Sequence, residues 1–286
     1  MSDFSAEWLR LREPADHRAR DRSLMQEVAR LFENNQAIRI VDLGSGLGSN
    51  LRALSPCLGR SQSWRLLDHD ATLLTAARAE LCAWSGIADQ GGDLALERNG
   101  CHLTVRTEEI DLVHHAERIV DGGPDLVTAA ALFDLVSPAW IDALADLVAR
   151  RRVPLYAALT YDGLDRGDPS HPLDGIMLKA LHAHQHRDKG FGPAAGPDAV
   201  HVLKEAFAAR GYRVRVAPSP WTLGDADAAM LTMLGEGVAS AVTETGLVAA
   251  ADIESWRRFH MPDGVWRGVT WTVGHADLLA VPQERR

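Results

Sequence analysis

The sequence predicts a doubly wound α/β fold, in which helices cover both faces of a mostly parallel sheet. Three observations support this prediction: five short apolar segments alternate with helical segments, a glycine-rich turn follows the first of them, and a strand-like segment lies near residue 280. Strands that alternate with helices are joined by right-handed crossovers, which place the strands parallel in one sheet. We therefore expect one domain over residues 1–286.

The predicted domain begins with a helical cap over residues 1–37. There Leu24, Val28, Leu31 and Phe32 recur at the spacing of an amphipathic helix. A core that binds a cofactor is expected over residues 38–163. Its five strands are read, in order, from "AIRIVDL", "WRLLDHD", "CHLTVRTEEIDL", "PDLVTAAALFDLVS" and "VPLYAALTYDG". Helices are expected from "NLRALSPCL", "TLLTAARAELCAWSGI" and "PAWIDALADLVARRR".

The alternation breaks after Gly163. Residues 164–198 form a long segment rich in Gly, Pro and His, which predicts a helical and loop insertion on the substrate side, because long loops in compact domains are usually functional. Regular structure returns over residues 199–286. A helix, a strand, two helical stretches near 226–245 and 249–259, and a final strand "GVTWTVGHADLLAVP" are expected there.

Composition and charge restrict the possible partners. The net charge of −9 disfavours nucleic acid, since phosphate binding depends on clustered Lys and Arg. The first residues are polar, and no apolar run approaches the roughly 18 residues of a membrane helix. The three cysteines have no C-x-x-C spacing, which favours a reducing cytoplasm. We expect a cytoplasmic protein with a small-molecule substrate, no nucleic-acid or membrane partner, and a possible homodimer face on the apolar segment "AAMLTMLGEGVASAV".

The glycine-rich turn lies in "IRIVDLGSGLGSN". Gly44, Gly46 and Gly48 form G-x-G-x-G, whereas the dinucleotide fingerprint G-x-G-x-x-G has a third glycine where this chain has Ser49. Asp42 would repel a pyrophosphate but suits a cationic amino-acid group. The glycines could also serve the geometry of a tight turn alone.

These segments together resemble the class I S-adenosylmethionine-dependent methyltransferases. "VDLGSGLGSN" is similar to the first motif of that family, "LLDHD" to the second, "EEIDL" to the adenine-contacting segment, "PDLVTAAALFDLVS" to the fourth motif and "HADLLAVP" to the last strand. The resemblance covers most of residues 38–160 and the final strand. It implies a Rossmann-like, seven-stranded sheet with an antiparallel last strand, and S-adenosyl-L-methionine as the cofactor.

The resemblance also implies roles for single residues. Gly44 and Gly46 would approach the methionine and ribose parts of the cofactor, and Asp42 would act near its ammonium group, directly or through water. Asp68 would hold the ribose hydroxyls. Asp111 would accept from the adenine amino group, and Leu112 would add a backbone contact.

Further positions in the same motifs complete the predicted cofactor site: Ser45, His69, Ala131 and Phe133. Alternatives remain open for three of the polar side chains. Asp68 and Asp111 could each cap a helix, and His69 could serve a turn beside Asp70.

Methyl transfer is an in-line displacement that needs alignment, exclusion of water and sometimes removal of a proton. The family's branch that methylates nucleic-acid bases or glutamine carries an acidic or amide residue followed by Pro-Pro-aromatic, which "LFDLVS" lacks. The residues therefore favour a small acceptor with an oxygen, nitrogen or carbon nucleophile.

Four residues near the end of the fifth strand and in the insertion are the catalytic candidates: Tyr161, Asp162, His184 and His186. A histidine could act as a general base. No metal site is predicted, because histidines two residues apart on a helix point in different directions. The alternative is a helix end at which the histidines favour the C-terminal dipole.

Two other segments could face a ligand. "KGFGPAAGP" has the composition of a shaped turn that closes over a bound molecule. In the N-terminal cap, Arg12, Arg18 or Arg20 could bind an anionic substrate or the cofactor carboxylate; a basic solvent-facing helix is the alternative.

Two functions of other classes compete with methyl transfer. One is a protein that binds S-adenosylmethionine without catalysis, as a sensor or partner. The other is a nicotinamide-dependent oxidoreductase, against which Asp42 and the missing third glycine argue.

Overall fold

Within residues 5–283, a single sheet of nine strands organises the protein. The structure, a computed structural model, describes residues 5–283, so the first four residues of the predicted cap lie outside it. The strands are β1 (Ile38–Leu43), β2 (Ser61–Asp68), β3 (Leu94–Arg98), β4 (Cys101–Glu109), β5 (Leu126–Ala130), β6 (Leu155–Asp168), β7 (Tyr212–Pro218), β8 (Trp221–Leu223) and β9 (Thr270–Pro282). Their order across the sheet is β3-β4-β2-β1-β5-β6-β9-β7, and β8 pairs with β9.

The strand directions confirm the predicted fold class. Strands β4, β2, β1, β5 and β6 run parallel, and β9 runs antiparallel to both of its neighbours, β6 and β7. The sheet has two more strands than the seven predicted. One of them, β3, forms a hairpin with β4 through Asn99 and Gly100, whose positive φ angles of 51° and 76° suit a two-residue hairpin turn.

Helices pack on both faces of the sheet. They are α1 (Ala6–Ala19), α2 (Arg22–Leu31), α3 (Ser49–Leu54), α4 (Ala71–Ser85), α5 (Pro138–Arg151), α6 (Asp174–Gln185), α7 (Ala199–Ala208), α8 (Ala228–Thr245) and α9 (Ala250–His260). One core cluster joins the sheet to α5 and α7, and a second joins the other face to α2, α3 and α4. A third, rich in tryptophan, joins α1, α6, α8 and α9 to β8 and β9. Within residues 5–283, no helix combines the length and hydropathy that crossing a bilayer requires.

The predicted insertion begins later than expected. Strand β6 continues past Gly163 to Asp168, because its second half pairs with β9 from Asp165 opposite Val273 to Asp168 opposite Thr270. The loop after α6 then docks beside the end of β5, where the N–H of Ala195 donates to the carbonyl of Val136 at 2.8 Å. The insertion therefore lies against the carboxyl edge of the sheet.

A buried carboxylate fixes the junction of β6 and β9. Asp277 is fully buried and accepts hydrogen bonds from the Tyr156 hydroxyl, the Leu159 N–H and the Asp21 N–H, each at 2.9 Å. Leu159 has a φ of 55° at a break in the β6–β9 register, so its N–H would lack a ladder partner without this side chain. Asp21 caps α2, and the same carboxylate therefore ties the N-terminal cap to the last strand.

We expect Asp277→Asn to lower the free energy of unfolding by about 1–3 kcal/mol, because an amide cannot accept all three hydrogen bonds in this buried position. Urea denaturation of the wild type and the variant measures the difference. Asp252→Asn, at an exposed position in the first turn of α9, is the matched control. Equal losses of stability in the two variants would contradict the role assigned to Asp277.

Candidate active site

The carboxyl ends of β1, β2 and β5 and the segment that follows β4 open into one cleft. Helix α1 and the loop after α6 form its other walls. The residues that line it are Leu9, Arg12, Asp16, Arg20, Gly44, Ser45, Gly46, Leu47, Ser49, Asn50, Asp68, His69, Asp70, Leu73, Ile110, Asp111, Leu112, Ala130, Ala131, Leu132, Leu135, Lys189 and Phe191. In open α/β sheets this edge is where ligands bind.

The glycine-rich turn exposes its backbone to this cleft. Gly44, Gly46 and Gly48 have φ angles of 59°, 50° and 73°, in the region that favours glycine. A Cβ atom on Gly44 would lie 3.1 Å from Leu132 Cδ1, and one on Gly46 would lie 3.1 Å from Leu9 Cδ1. Glycine is thus required by the backbone conformation and also leaves space between the turn and the two leucines.

Asp68, at the end of β2, is buried and its carboxylate is aligned by backbone donors. Its Oδ2 accepts from the Gly46 N–H at 2.8 Å, and its Oδ1 accepts from the Asp70 N–H at 3.1 Å. Asp70 caps α4, so Asp68 does not have the capping role that was the alternative for it. His69 lies beside it, with Nδ1 3.3 Å from Asp68 Oδ1. Each oxygen of the Asp68 carboxylate therefore accepts one backbone hydrogen bond and keeps a lone pair that a ligand in the cleft can use.

Asp42 lies beneath the cleft and does not reach its wall. It is fully buried, and Asn50 stands above it and donates from Nδ2 to Asp42 Oδ1 at 2.6 Å. Arg20 donates from Nη1 to Asn50 Oδ1 at 2.8 Å. Burial raises the pKa of Asp42 to about 7, although the hydrogen bond from Asn50 and the charge of Arg20 oppose the change. The groups offered to a ligand here are therefore Asn50 and Arg20.

The segment after β4 forms the far end of the cleft. Asp111 Oδ1 accepts from the Val113 N–H at 2.8 Å, so this side chain does close a local turn. Among residues 5–283, its Oδ2 makes no hydrogen bond and lies 3.9 Å from His114 Nε2. The carbonyl of Leu112 accepts from Trp140 Nε1 at 3.0 Å. Phe191 packs edge-on against Trp140, with ring centroids 5.3 Å apart, and this contact brings the loop after α6 to the cleft.

The residues that follow β5 differ in whether they face the cleft or the core. Ala131 has a φ of 51° and lines the cleft, as does Leu132. Phe133 was predicted at the cofactor, but its side chain is 1% exposed and belongs to the core cluster beneath α5. That prediction rested on the resemblance to the fourth motif, and the structure turns this side chain away from the cleft into the core.

The four predicted catalytic residues lie outside the cleft wall. The Tyr161 hydroxyl is 3.0 Å from His182 Nε2. Burial raises the pKa of Tyr161 and lowers the pKa of His182, so at neutral pH both groups are uncharged. Asp162 accepts from the Leu164 N–H at 3.0 Å, within a turn.

The other two histidines point elsewhere from the end of α6. His184 Nε2 lies 3.0 Å from Glu244 Oε2, and His186 Nδ1 lies 3.1 Å from the carbonyl of Ala194. His184 lies in the last turn of α6 and His186 at its C-cap, which is the helix-end position given above as the alternative to a catalytic role.

Asn50 and Lys189 line the cleft although they were not predicted as site residues. Asn50 is the last residue of the segment that resembles the first motif, so its position beside the glycines was a usable signal. Lys189 lies in "KGFGPAAGP", whose composition predicted a turn over a ligand but did not show which side chains face it.

Solved structures with a similar fold include three that cover nearly the whole chain, each 13% identical to it. The YcgJ protein of Bacillus subtilis aligns over 92% of this chain and 98% of its own, with a TM-score of 0.50. A cyclopropane-fatty-acyl-phospholipid synthase-like protein of Lactobacillus casei aligns over 94% and 91%, with a TM-score of 0.50. A SAM-dependent methyltransferase of Geobacter sulfurreducens in complex with S-adenosyl-L-homocysteine aligns over 99% and 100%, with a TM-score of 0.48.

No protein-family profile matches the sequence, and no curated protein matches it. At an identity of 13% the structural similarity establishes the fold alone. The predicted fold is confirmed: the chain has a Rossmann-like fold, similar to that of the first two of these proteins.

The raised pKa of Asp42 makes stability depend on pH. The folded protein keeps this carboxyl protonated up to a pH of about 7, whereas the unfolded chain ionises it near 3.8. The contribution of the group to stability therefore falls as pH rises through this window, by up to about 1.4 kcal/mol per pH unit. Asp42→Asn removes that decline.

We expect the free energy of unfolding of Asp42→Asn, minus that of the wild type, to increase between pH 5.5 and 7 and then to level off. Urea denaturation of both proteins at pH 5.5, 6.5, 7.5 and 8.5 gives this difference. A difference that does not vary with pH would show that Asp42 is ionised throughout.

Proposed function

We propose that the protein transfers the methyl group of S-adenosylmethionine to a small-molecule acceptor. One observation carries the proposal: a single cleft contains a separate anchor for each part of that cofactor. Arg20 and Asn50 lie at its β1 end, Asp68 at the end of β2, and Asp111 with Leu112 after β4.

The anchors match the cofactor in chemistry. Arg20 uses Nη1 on Asn50, which leaves guanidinium N–H groups for the methionine carboxylate. Asp68 is held by two backbone donors and retains lone pairs for the vicinal hydroxyls of a ribose. The second carboxylate oxygen of Asp111, which makes no hydrogen bond within the described part of the protein, suits the adenine amino group, and the Leu112 backbone suits a ring nitrogen.

When bound, S-adenosylmethionine supplies a methyl group on a positively charged sulfur. The residues of the chain then need to align the acceptor and exclude water. Leu9 on α1 and Leu132 after β5 approach the turn at Gly46 and Gly44, and they give this part of the cleft apolar walls. Phe191 closes the cleft from the insertion.

Two features support a small acceptor. The cleft is walled by α1 and by the loop after α6, which restricts the size of the ligand that can reach the β5 end. The net charge of −9 opposes binding of a long polyanion.

Among the four catalytic candidates, we assign none to a proton step. The Tyr161 hydroxyl lies outside the cleft wall, 3.0 Å from His182 Nε2, and its raised pKa opposes loss of its proton. His184 and His186 are engaged with Glu244 and a backbone carbonyl, and Asp162 with a backbone N–H, so we assign these three residues to loop geometry.

We expect isothermal titration calorimetry to show binding of S-adenosylmethionine and S-adenosylhomocysteine with micromolar dissociation constants, about −8 kcal/mol. Asp68→Ala should weaken both by about tenfold or more, because the ribose hydroxyls lose a charged acceptor in a buried site. Asp93→Ala, at an exposed position paired with Arg106, is the control and should bind as the wild type does.

Reduced nicotinamide nucleotide belongs in the same titration. Its binding, with none of S-adenosylhomocysteine, would favour the oxidoreductase and overturn the proposal. Cofactor binding without turnover in a broad screen of metabolites would instead favour a non-catalytic sensor.

A further inference from the structure

The arginines of α1 divide between the cleft and the solvent. Arg12 and Asp16 on α1, and Arg20 at the residue that ends this helix, are spaced four residues apart, are 9% exposed or less, and line the cleft. Arg18 lies on another face, where its half-exposed side chain pairs with Asp227 at 2.7 Å. The cleft therefore contains two guanidinium groups.

Arg12 is held in a fixed orientation. Its Nε and Nη2 donate to the two oxygens of Asp16 at 2.9 and 3.2 Å, and its guanidinium carbon lies 4.9 Å from the ring centroid of Trp221. Trp221 Nε1 donates to the same Asp16 at 3.0 Å. Among the described residues Asp16 is the only acceptor for Arg12, and the third nitrogen, Nη1, makes no hydrogen bond. A buried guanidinium with free donors on a cleft wall is prepared for an anion.

The two arginines have different partners. Arg12 and Arg20 are eight residues apart, which is about 12 Å along a helix. Arg20 contacts Asn50 beside the glycine turn, where the proposed cofactor places its own carboxylate. Arg12 is left for a second ligand in the same cleft.

The charges around Arg12 limit the class of that ligand. Asp16 neutralises it in part, and Asp134, after β5, lies close enough for the charge of Arg12 to act on its pKa. His275, which also faces this region, is neutral because burial lowers its pKa to about 3. Any anion here would meet the carboxylates of Asp16 and Asp134 beside one guanidinium, and a phosphate dianion would be repelled about twice as strongly as a single carboxylate.

We propose that Arg12 binds a carboxylate of the methyl acceptor, so that the substrates of this protein are small carboxylic acids. This inference rests on the proposed function, because it takes Arg20 as the anchor of the cofactor. Arg12 determines specificity here and takes no part in the methyl transfer itself.

The test uses the full chain saturated with S-adenosylhomocysteine and simple probes. Benzoate and acetate are the carboxylates, benzamide and acetamide are their neutral counterparts, and phenyl phosphate is the dianion. Isothermal titration calorimetry measures each dissociation constant. We expect each carboxylate to bind more tightly than its amide and than phenyl phosphate.

The variants assign the effect to Arg12. The double variant Arg12→Gln with Asp16→Asn avoids an unpaired buried charge, and it should lose about tenfold or more of the carboxylate affinity while its affinity for the amides is unchanged. Arg12→Lys keeps the positive charge but loses the planar guanidinium that can donate two parallel hydrogen bonds. Its affinity for carboxylates should lie between that of the wild type and that of the double variant. Arg18→Gln is the matched control and should bind carboxylates as the wild type does.

The outcomes separate the two proposals. If S-adenosylhomocysteine does not bind, the proposed function fails and this inference falls with it. If it binds, but carboxylates show no preference over amides or phenyl phosphate, or keep that preference in the double variant, the assignment of Arg12 alone is overturned.

Discussion

The amide of Asn50 holds together the parts of the protein that form the cleft. It donates to Asp42 on β1 at 2.6 Å and to Thr128 on β5 at 3.1 Å, and it accepts from Arg20 at the junction of α1 and α2. All of these groups are buried, so each would carry the cost of an unpaired polar group if the amide moved. The positions of the two central strands and of the N-terminal cap are therefore mutually dependent.

The same hydrogen bonds continue to the edge of the parallel core. The Thr128 hydroxyl donates to the carbonyl of Tyr156 on β6 at 2.9 Å, and the Tyr156 hydroxyl donates to Asp277 on β9. Asp277 in turn accepts from Asp21 in the cap. A series of polar groups, buried except for the partly buried Asp21, thus runs from the cap through four strands and back to the cap, beside the cleft. Of its atoms, Asp42 Oδ2 and Arg20 Nε remain without hydrogen-bond partners in the part of the chain that the structure describes, on the side of the network that faces the cleft.

The sequence predicted the elements whose pattern is local. The core strands, the helices between them and the position of Asp68 follow from apolar periodicity and from turn residues, which act within a few positions. Strand β3 was missed although Asn99-Gly100 is a strong hairpin signal between alternating apolar residues. Phe133 was placed at the cofactor by its position in a motif, and a motif does not show towards which side of the backbone a side chain packs. The directions of His184 and His186 depend on Glu244 and on the folded loop, which no local pattern contains.

The position of β9 has a consequence for how the chain reaches this structure. Strands β6 and β7 both precede β9 in the sequence, yet β9 lies between them and pairs with each over most of its length. Neither half of that ladder can form until β9, the last strand in the sequence, has entered the gap between β6 and β7. Contacts between distant segments close slowly, because loop entropy is lost before they are gained. Until then the edge of β6 stays open to other strands, and in this interval the unfinished sheet is exposed to mispairing and aggregation.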